Sequence, residues 1–509
     1  MMATSTLPQV VWFKRDLRIH DHTALSQAAV AGPVLPLYTF ELDHWLQSST
    51  SDRQWQFVRE CLLSLDEQLS SLGTSLEVHV SPMIKALEAL HLRLGDFTLH
   101  SHQETGGLWS YERDRAVAAW CREHGVRWHE YPQNSVVRPV SRRGRGFKEH
   151  WDAWASAPLA KLPTDLLWLE PDIEQRVSLL PTAVKSDPLP CAGRQEGGVQ
   201  PARELLKSFL EYRGQGYGAN MSSPSTAEHG TSRLSPHIAH GTLSLRQIAQ
   251  IAMQAKNSAP RNHWHRQLHS FLTRLWWQSY ALQQLENRPK MERQALVPEM
   301  ENLVRPMDVE RFDAWRLGRT GWPLVDACMR SLHHNGWLNF RMRAMLLTTA
   351  THTLSLPWRP VSDWLSQMFV DFEPGIHYTQ MQMHSGMSAS PVLRLYNPVK
   401  QARDLDPQGE FVRRWVPELA KVPNEWIFMP WAIPEPLRQD FGLAGATDYP
   451  APIVDFEQVH RNVKAEIAAL RNSLGLDAAS GFRERSRHGV RGQRNLAKKK
   501  VVAEQPTLF

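Results

Sequence analysis

An α/β domain built on a doubly wound parallel sheet, followed by an all-α domain, is the fold class that this 509-residue chain predicts. Two observations carry it. Short apolar runs alternate with helical patterns up to residue 131, and from Pro201 onward helical patterns stand almost alone. The length exceeds what one core usually organises, so two or three domains are expected.

The first domain spans 8–131. Its runs 10–13, 34–40, 76–80, 97–101 and 126–131 are rich in strand formers, and the intervening stretches 23–31, 54–72, 84–92 and 111–124 have helical spacing. Strands that alternate with helices pair in parallel, and such sheets bind ligands at the carboxyl ends of their strands. No GxGxxG follows the first strand, so a dinucleotide has no local support here.

Residues 132–200 lose that rhythm. NSVVRPVSRRGRGF is basic and SLLPTAVKSDPLPCAGRQEGGVQP is rich in Pro and Gly, which reads as an interdomain connection over the surface. Its Arg142, Arg143 and Arg145 suit either phosphate or plain solvation. A helical domain follows over 201–470, with patterns at 202–212, 245–255, 262–285, 323–334, 338–354 and 360–370. The helix from Pro323 shows its signals well, with Pro in the first turn and Asn335-Gly336 at its end.

Composition excludes several classes. A hydrophobic share of 42% with 22% charged residues is ordinary for a globular protein. No apolar run reaches the roughly 18–20 residues that cross a bilayer, and MMATSTLPQVVWF has no signal-peptide form, so the chain reads as cytoplasmic, with no membrane association, and as a monomer. Four separated cysteines without a CxxC pair argue against a disulfide framework, a zinc site or a four-cysteine cluster. Twenty tryptophans fit either large-residue packing or aromatic walls for a cofactor. The net charge of +6 lies entirely in the C-terminal stretch, where eight Lys/Arg face Glu484 and Glu504 between Phe482 and Phe509. The tail 471–509 is therefore expected to be basic and disordered, suited to non-specific nucleic-acid contact or simple solvation.

Two stretches carry candidate chemistry. Gly230-Thr231-Ser232-Arg233-Leu234-Ser235 gathers backbone amides, hydroxyls and an arginine in a turn, which suits a phosphate, although Ser/Thr before a helix is usually an N-cap. Residues 318–398 combine helical patterns with Arg343, Asp371, Glu373 and His377, polar groups in an apolar segment that need a partner.

The order of the motifs resembles the photolyase/cryptochrome family from about residue 9 to about residue 430. VVWFKRDLRIHDHTAL looks like its opening strand and loop, TSRLSPHIAHGTLSLRQ like its flavin diphosphate segment, GRTGWPLVDACMRSL and GWLNFRMRAM like its central helices, and LYNPVKQARDLDPQGEFVRRWVPEL like its closing signature. The resemblance implies an α/β antenna domain joined to an all-α FAD-binding domain. It also implies FAD as cofactor, with a second antenna chromophore whose identity no motif reveals, and DNA as partner.

Carried over residue by residue, the resemblance places Tyr217, Thr231, Ser232, Arg233, Leu234 and Ser235 near the flavin phosphates and ribityl chain. It sets Arg343 and Asp371 as an ion pair beside the isoalloxazine, with Glu373 as a second acid. By its spacing from Asp371, His377 occupies the position facing flavin N5, where photolyases usually carry Asn and plant cryptochromes Asp; Tyr378 is the alternative. On the substrate side Trp276 keeps the aromatic wall for a flipped pyrimidine pair. Thr273, however, stands where cyclobutane-dimer repair enzymes have a glutamate, Trp277 replaces an arginine and Phe340 an asparagine. Neither histidine that (6-4) repair requires is present. In the tryptophan relay Trp358 matches the middle member, while the proximal and distal positions read Met381 and Arg305, leaving Trp337, Trp322, Trp315 and Tyr378 as other routes. The resemblance thus points to a light-driven DNA repair lyase with a non-standard pocket, for which standard cyclobutane dimers are poor substrates. The alternative is a cryptochrome-like photoreceptor without repair activity. The chain ends in Gln505-Pro506-Thr507-Leu508-Phe509, which looks like the bacterial sliding-clamp pentapeptide, Gln505 filling a polar pocket and Leu508 and Phe509 an apolar one.

Overall fold

A computed structural model describes residues 7–138, 146–172, 174–185, 187, 190–388, 395–443 and 449–474. The first half is the expected α/β unit. Strands β1 (Gln9–Phe13), β2 (Val34–Thr39), β3 (Glu77–His79), β4 (Thr98–His102) and β5 (Arg127–Tyr131) form a wholly parallel sheet in the order β3-β2-β1-β4-β5. Central β1 is buried on both faces, which explains its unbroken apolar run. Val11 and Phe13 join the core under helices Thr23–Ala31 and Asp52–Ser70, whereas Val10 and Trp12 face helices Met83–Leu94 and Leu108–Glu123.

The loop after β1 is the hinge of the architecture. Asp16, fully buried, lies 2.9 Å from His22 Nε2 and 2.7 Å from His102 Nδ1, and accepts from the Lys14 amide at 2.6 Å. Burial alone would raise its pKa, but the two histidines hold the carboxyl well below the usual range. Arg15 then reaches into the helical half, donating through Nε to the Ala239 carbonyl and through Nη2 to that of Phe372, both at 3.0 Å. Arg18 Nη1 donates to the Gly241 carbonyl at 2.9 Å, and Asp21 pairs with Arg246 and accepts from Ser244. Gly241 is irreplaceable in this seam: its φ is +69°, and a Cβ would lie 2.3 Å from the Arg15 carbonyl.

The connection 132–200 contains a helix, Phe147–Ser156, whose Trp151 and Ala155 are buried in the core of helices Val199–Glu211 and Leu245–Ser258. Trp168 bridges Val34 beside the sheet. Arg142, Arg143 and Arg145 lie outside the described residues. The helical half centres on His263–Asn287, packed against Pro374–His384 so closely that a Cβ on Gly375 would meet the Leu282 Cα at 2.7 Å. Pro323–Asn335 ends on left-handed Gly336, as its sequence signals require. The pattern over 338–354 resolves into Phe340–Thr348 and a wider π turn, Thr349–Thr353, so propensity alone hid a break. No helix among the described residues is long and apolar enough to cross a membrane. Of the tail, 475–509 lies outside the described residues, with Gln505, Leu508 and Phe509.

Several histidines are buried and neutral. Burial pushes His237 and His102 down to about 3 and His352 to about 4. Each gains a proton in the unfolded chain below its free pKa of about 6.5 but not in the folded one. Stability is therefore complete above about pH 6.5 and falls as pH drops towards the folded pKa, each group adding about 1.4 kcal/mol per pH unit. Urea midpoints measured from about pH 7.5 down to about pH 5 are expected to decline from about pH 6.5, and H237Q to flatten that slope; a midpoint constant down to about pH 5 would contradict this burial pattern.

Candidate functional site

Three segments converge in the helical half. The first runs from Tyr217 to Ser235. Tyr217 is buried edge-on against Phe209 and Phe271, at centroid distances of 5.5 and 5.9 Å, and burial pushes its hydroxyl up to about 12. Arg233 takes a left-handed backbone, φ +58°, which is costly for a residue with a Cβ and tends to mark functional turns. Its guanidinium stacks 3.9 Å over Trp337, and its Nη1 is buried without a partner. Burial lowers its pKa to about 10, so it stays charged at neutral pH. The hydroxyls of the motif have partners within the protein. Thr231 Oγ1 donates to the Ala227 carbonyl at 2.7 Å, Ser232 Oγ accepts from the Leu234 amide at 3.5 Å, and Ser235 Oγ accepts from Trp337 Nε1 at 3.1 Å. Leu234 is fully buried. These groups shape the turn, and Arg233 supplies its free donor.

The second segment is the acidic turn. Arg343, on Phe340–Thr348, donates through Nη2 to Asp371 Oδ2 at 2.7 Å and through Nε to the Leu338 carbonyl at 2.8 Å, and its guanidinium lies 4.0 Å over Phe369. Asp371 Oδ1 is buried with no partner. Glu373 does not join this pair. Its Oε2 sits 3.5 Å from Arg15 of the α/β half, its Oε1 has no partner, and burial raises its pKa. His377, one turn into Pro374–His384, lies with Nε2 3.0 Å from Ser362 Oγ and 3.1 Å from the Ser362 carbonyl. Burial pushes it down to about 3, so it is neutral, and the carbonyl contact requires the proton on Nε2. Tyr378 packs edge-on against Phe372 of this turn, ring centroids 6.0 Å apart, and lines a cleft of about 110 Å³ at the carboxyl ends of β1 and β2.

The third is one face of His263–Asn287, where Thr273, Trp276, Trp277 and Tyr280 follow helical spacing. Trp276 is half-buried, stacked 5.7 Å from Tyr280, and its Nε1 has no partner. The Thr273 hydroxyl bonds back to the His269 carbonyl at 2.9 Å, and Trp277 carries the Arg274 guanidinium 3.9 Å over its ring. Phe340 is half-buried at the start of its helix. Trp358 opens Trp358–Met368 beside Met300 and Met387, outside the core that buries Met381; Arg305, which pairs with Glu466 at 2.8 Å, lines the same cavity as Trp358.

Sequence reasoning missed two features. One is the Arg233–Trp337 stack, which joins residues a hundred positions apart. The other is the cleft beside β1 and β2, where Arg113 lies 4.6 Å over Trp12 and 5.1 Å over Trp109 while pairing with Glu104 and Asp114. A ligand was expected at the carboxyl ends of the strands, but no motif put Arg113, Trp109 and Glu104 there.

Two family models match the two parts of the chain. Residues 9–163 match the family model "DNA photolyase", and residues 271–469 match "FAD binding domain of DNA photolyase". Among curated relatives, a deoxyribodipyrimidine photo-lyase of Vibrio cholerae is 28% identical over 480 residues, covering 88% of this chain and 97% of the relative. Cryptochrome-2 of Arabidopsis thaliana is 28% identical over 506 residues, covering 91% and 79%. An archaeal photolyase from Sulfolobus tokodaii, solved with two FAD molecules, aligns with a TM-score of 0.74 at 23% identity, covering 91% of this chain and all of that one.

The chain's own atoms fit FAD. Arg233 Nη1 is an orphaned buried donor suited to a diphosphate oxygen, and Asp371 Oδ1 an orphaned buried acceptor suited to a ring N–H. D371A removes that acceptor and the pair with Arg343. The variant is expected to retain flavin at least about tenfold less well, read as the flavin-to-protein absorbance ratio after gel filtration; full retention would remove Asp371 from the holding set.

Proposed function

The chain belongs to the photolyase/cryptochrome family, and from that premise we propose that it is an FAD-dependent, blue-light-driven flavoprotein of the photolyase type that acts on DNA, a repair lyase with a non-standard substrate pocket. FAD, when bound, supplies the light absorption and the electron. The observation that carries the reading is the aromatic face of His263–Asn287, where half-buried Trp276 offers a stacking wall for a base taken out of the duplex stack.

The roles follow from the side chains. Arg233 and Arg343 with Asp371 bind and orient the cofactor. Tyr217, Thr231, Ser232, Leu234 and Ser235 shape the turn that presents Arg233. Glu373 ties the acidic turn to the other domain through Arg15. His377, neutral and donating to Ser362, braces two helices and keeps a proton off the acidic turn at neutral pH. At the substrate wall, Thr273 and Phe340 contribute no charge and no free hydrogen-bond donor of their own, so a lesion's carbonyl oxygens meet little there. Standard cyclobutane dimers are accordingly poor substrates. The cleft beside β1 and β2 suits a second chromophore, as the second FAD of the archaeal neighbour suits that protein.

Thr273, Phe340 and His377 also favour a second reading, a cryptochrome-like photoreceptor that binds FAD and repairs nothing. Reduced protein incubated under blue light with an oligonucleotide carrying one cyclobutane dimer decides between them. Wild type is expected to restore bases at least about a hundredfold more slowly than an ordinary photolyase, and T273E to recover about tenfold or more of the rate. Ordinary turnover would sink the pocket argument, and no repair of any ultraviolet lesion by either form would favour the receptor.

The terminal pentapeptide motivates a separate proposal, recruitment to a sliding clamp through Gln505, Leu508 and Phe509. Deleting 505–509 is expected to abolish co-elution with the clamp, and unchanged co-elution would remove the idea.

A further inference from the structure

Behind Trp358 lies a cavity of about 270 Å³ that shares no residue with the acidic turn, with Arg233 or with the aromatic face of His263–Asn287. Its wall is largely apolar, including Leu303, Leu356 and Met387. Two donors on that wall have no acceptor. Trp358 is 6% exposed and its Nε1 is buried without a partner, and the same holds for Arg305 Nε. No protein atom accepts from either, and both residues line the void. The other polar groups there are already committed. Thr351 Oγ1 donates to the Leu347 carbonyl, Ser385 Oγ to that of Met381, and Glu301 accepts from the Ala295 amide and from Arg359. Arg305 Nη2 donates to Glu466 on the outer side, and the Arg359 guanidinium lies 4.6 Å over the Trp358 ring.

We propose that this cavity binds a small organic carboxylate with an apolar or aromatic body. The two oxygens of a carboxylate accept from two separate N–H donors at once, and the body fills an apolar void next to an indole. An arginine supplies a charge-assisted bond that a neutral ligand cannot match. The site does not depend on the repair reading, because none of its residues belongs to the substrate wall.

Phenylacetate titrated calorimetrically into the FAD-loaded full chain is the test, with phenylacetamide as the same body without charge. Phenylacetate is expected to saturate one site and phenylacetamide to bind about tenfold more weakly or worse. R305Q should weaken phenylacetate about tenfold and leave phenylacetamide nearly unchanged, while W358F, which keeps a ring and removes the N–H, should cost several-fold. E466Q breaks the same outer pair as R305Q and is expected to stay within about twofold of wild type, which separates the lost donor from general loosening. Equal binding of acid and amide, no binding of the acid up to about 10 mM, or indifference to both R305Q and W358F would overturn the proposal.

Discussion

Two arginines in the loop after β1 hold the two halves in register. Arg15 and Arg18 are met by the carbonyls of Ala239, Phe372 and Gly241, three backbone groups of the helical half. A guanidinium removed from water is tolerable only when its N–H groups find acceptors, and these carbonyls provide them. Phe372 stands between Asp371 and Glu373, so the contact that closes the seam also fixes the acidic turn. The site is therefore not a property of the helical half alone. A change in the β1 loop is felt at Asp371 without touching it.

The same seam decides the charge states. Glu373 faces Arg15 and Glu104 in a buried setting, and burial wins, raising its pKa. His377 lies near Arg343 and Asp371, whose effects oppose one another, and burial again wins, leaving it neutral. Asp371 instead keeps a direct bond from Arg343. Within a few residues the chain thus sets one ion-paired carboxylate, one carboxyl biased towards its protonated form and one neutral imidazole. Local sequence cannot distinguish them, since all three are titratable groups in one apolar stretch; what differs is the partner that tertiary structure delivers.

That contrast measures how much was legible. The sheet was readable because a parallel strand buried on both faces is uniformly apolar, as in Val10 to Phe13, and its flanking helices carry their period openly. Arg343 and Asp371 were readable through motif order, and they meet at 2.7 Å. Glu373 was read as part of the same cluster, yet it turns to Arg15, more than 350 positions earlier, and spacing carries no such information. Of the motif hydroxyls, Thr231 spends its proton on the Ala227 carbonyl, as such side chains commonly do in turns, whereas Ser235 accepts from Trp337 and keeps its own proton to donate. The helix inside 132–200 was hidden by the Gly and Pro residues around it, while Trp151 and Ala155 follow the period that buries them.

The departures on the substrate side share one physical direction. On the proposed reading, Thr273, Trp277 and Phe340 each stand where the resemblance implies a charged or amide side chain, so that each takes such a group from the wall beside Trp276. The cation that remains close, Arg274, is drawn over the Trp277 ring rather than held out from it. Exchanging hydrogen-bond partners for rings lowers discrimination by carbonyl pattern and keeps attraction by stacking, which every base offers. On the proposed reading, such a wall receives an extruded base readily and does little to stabilise charge that develops on it. Binding and turnover would then separate, the first surviving on aromatic area and the second limited by the missing acid.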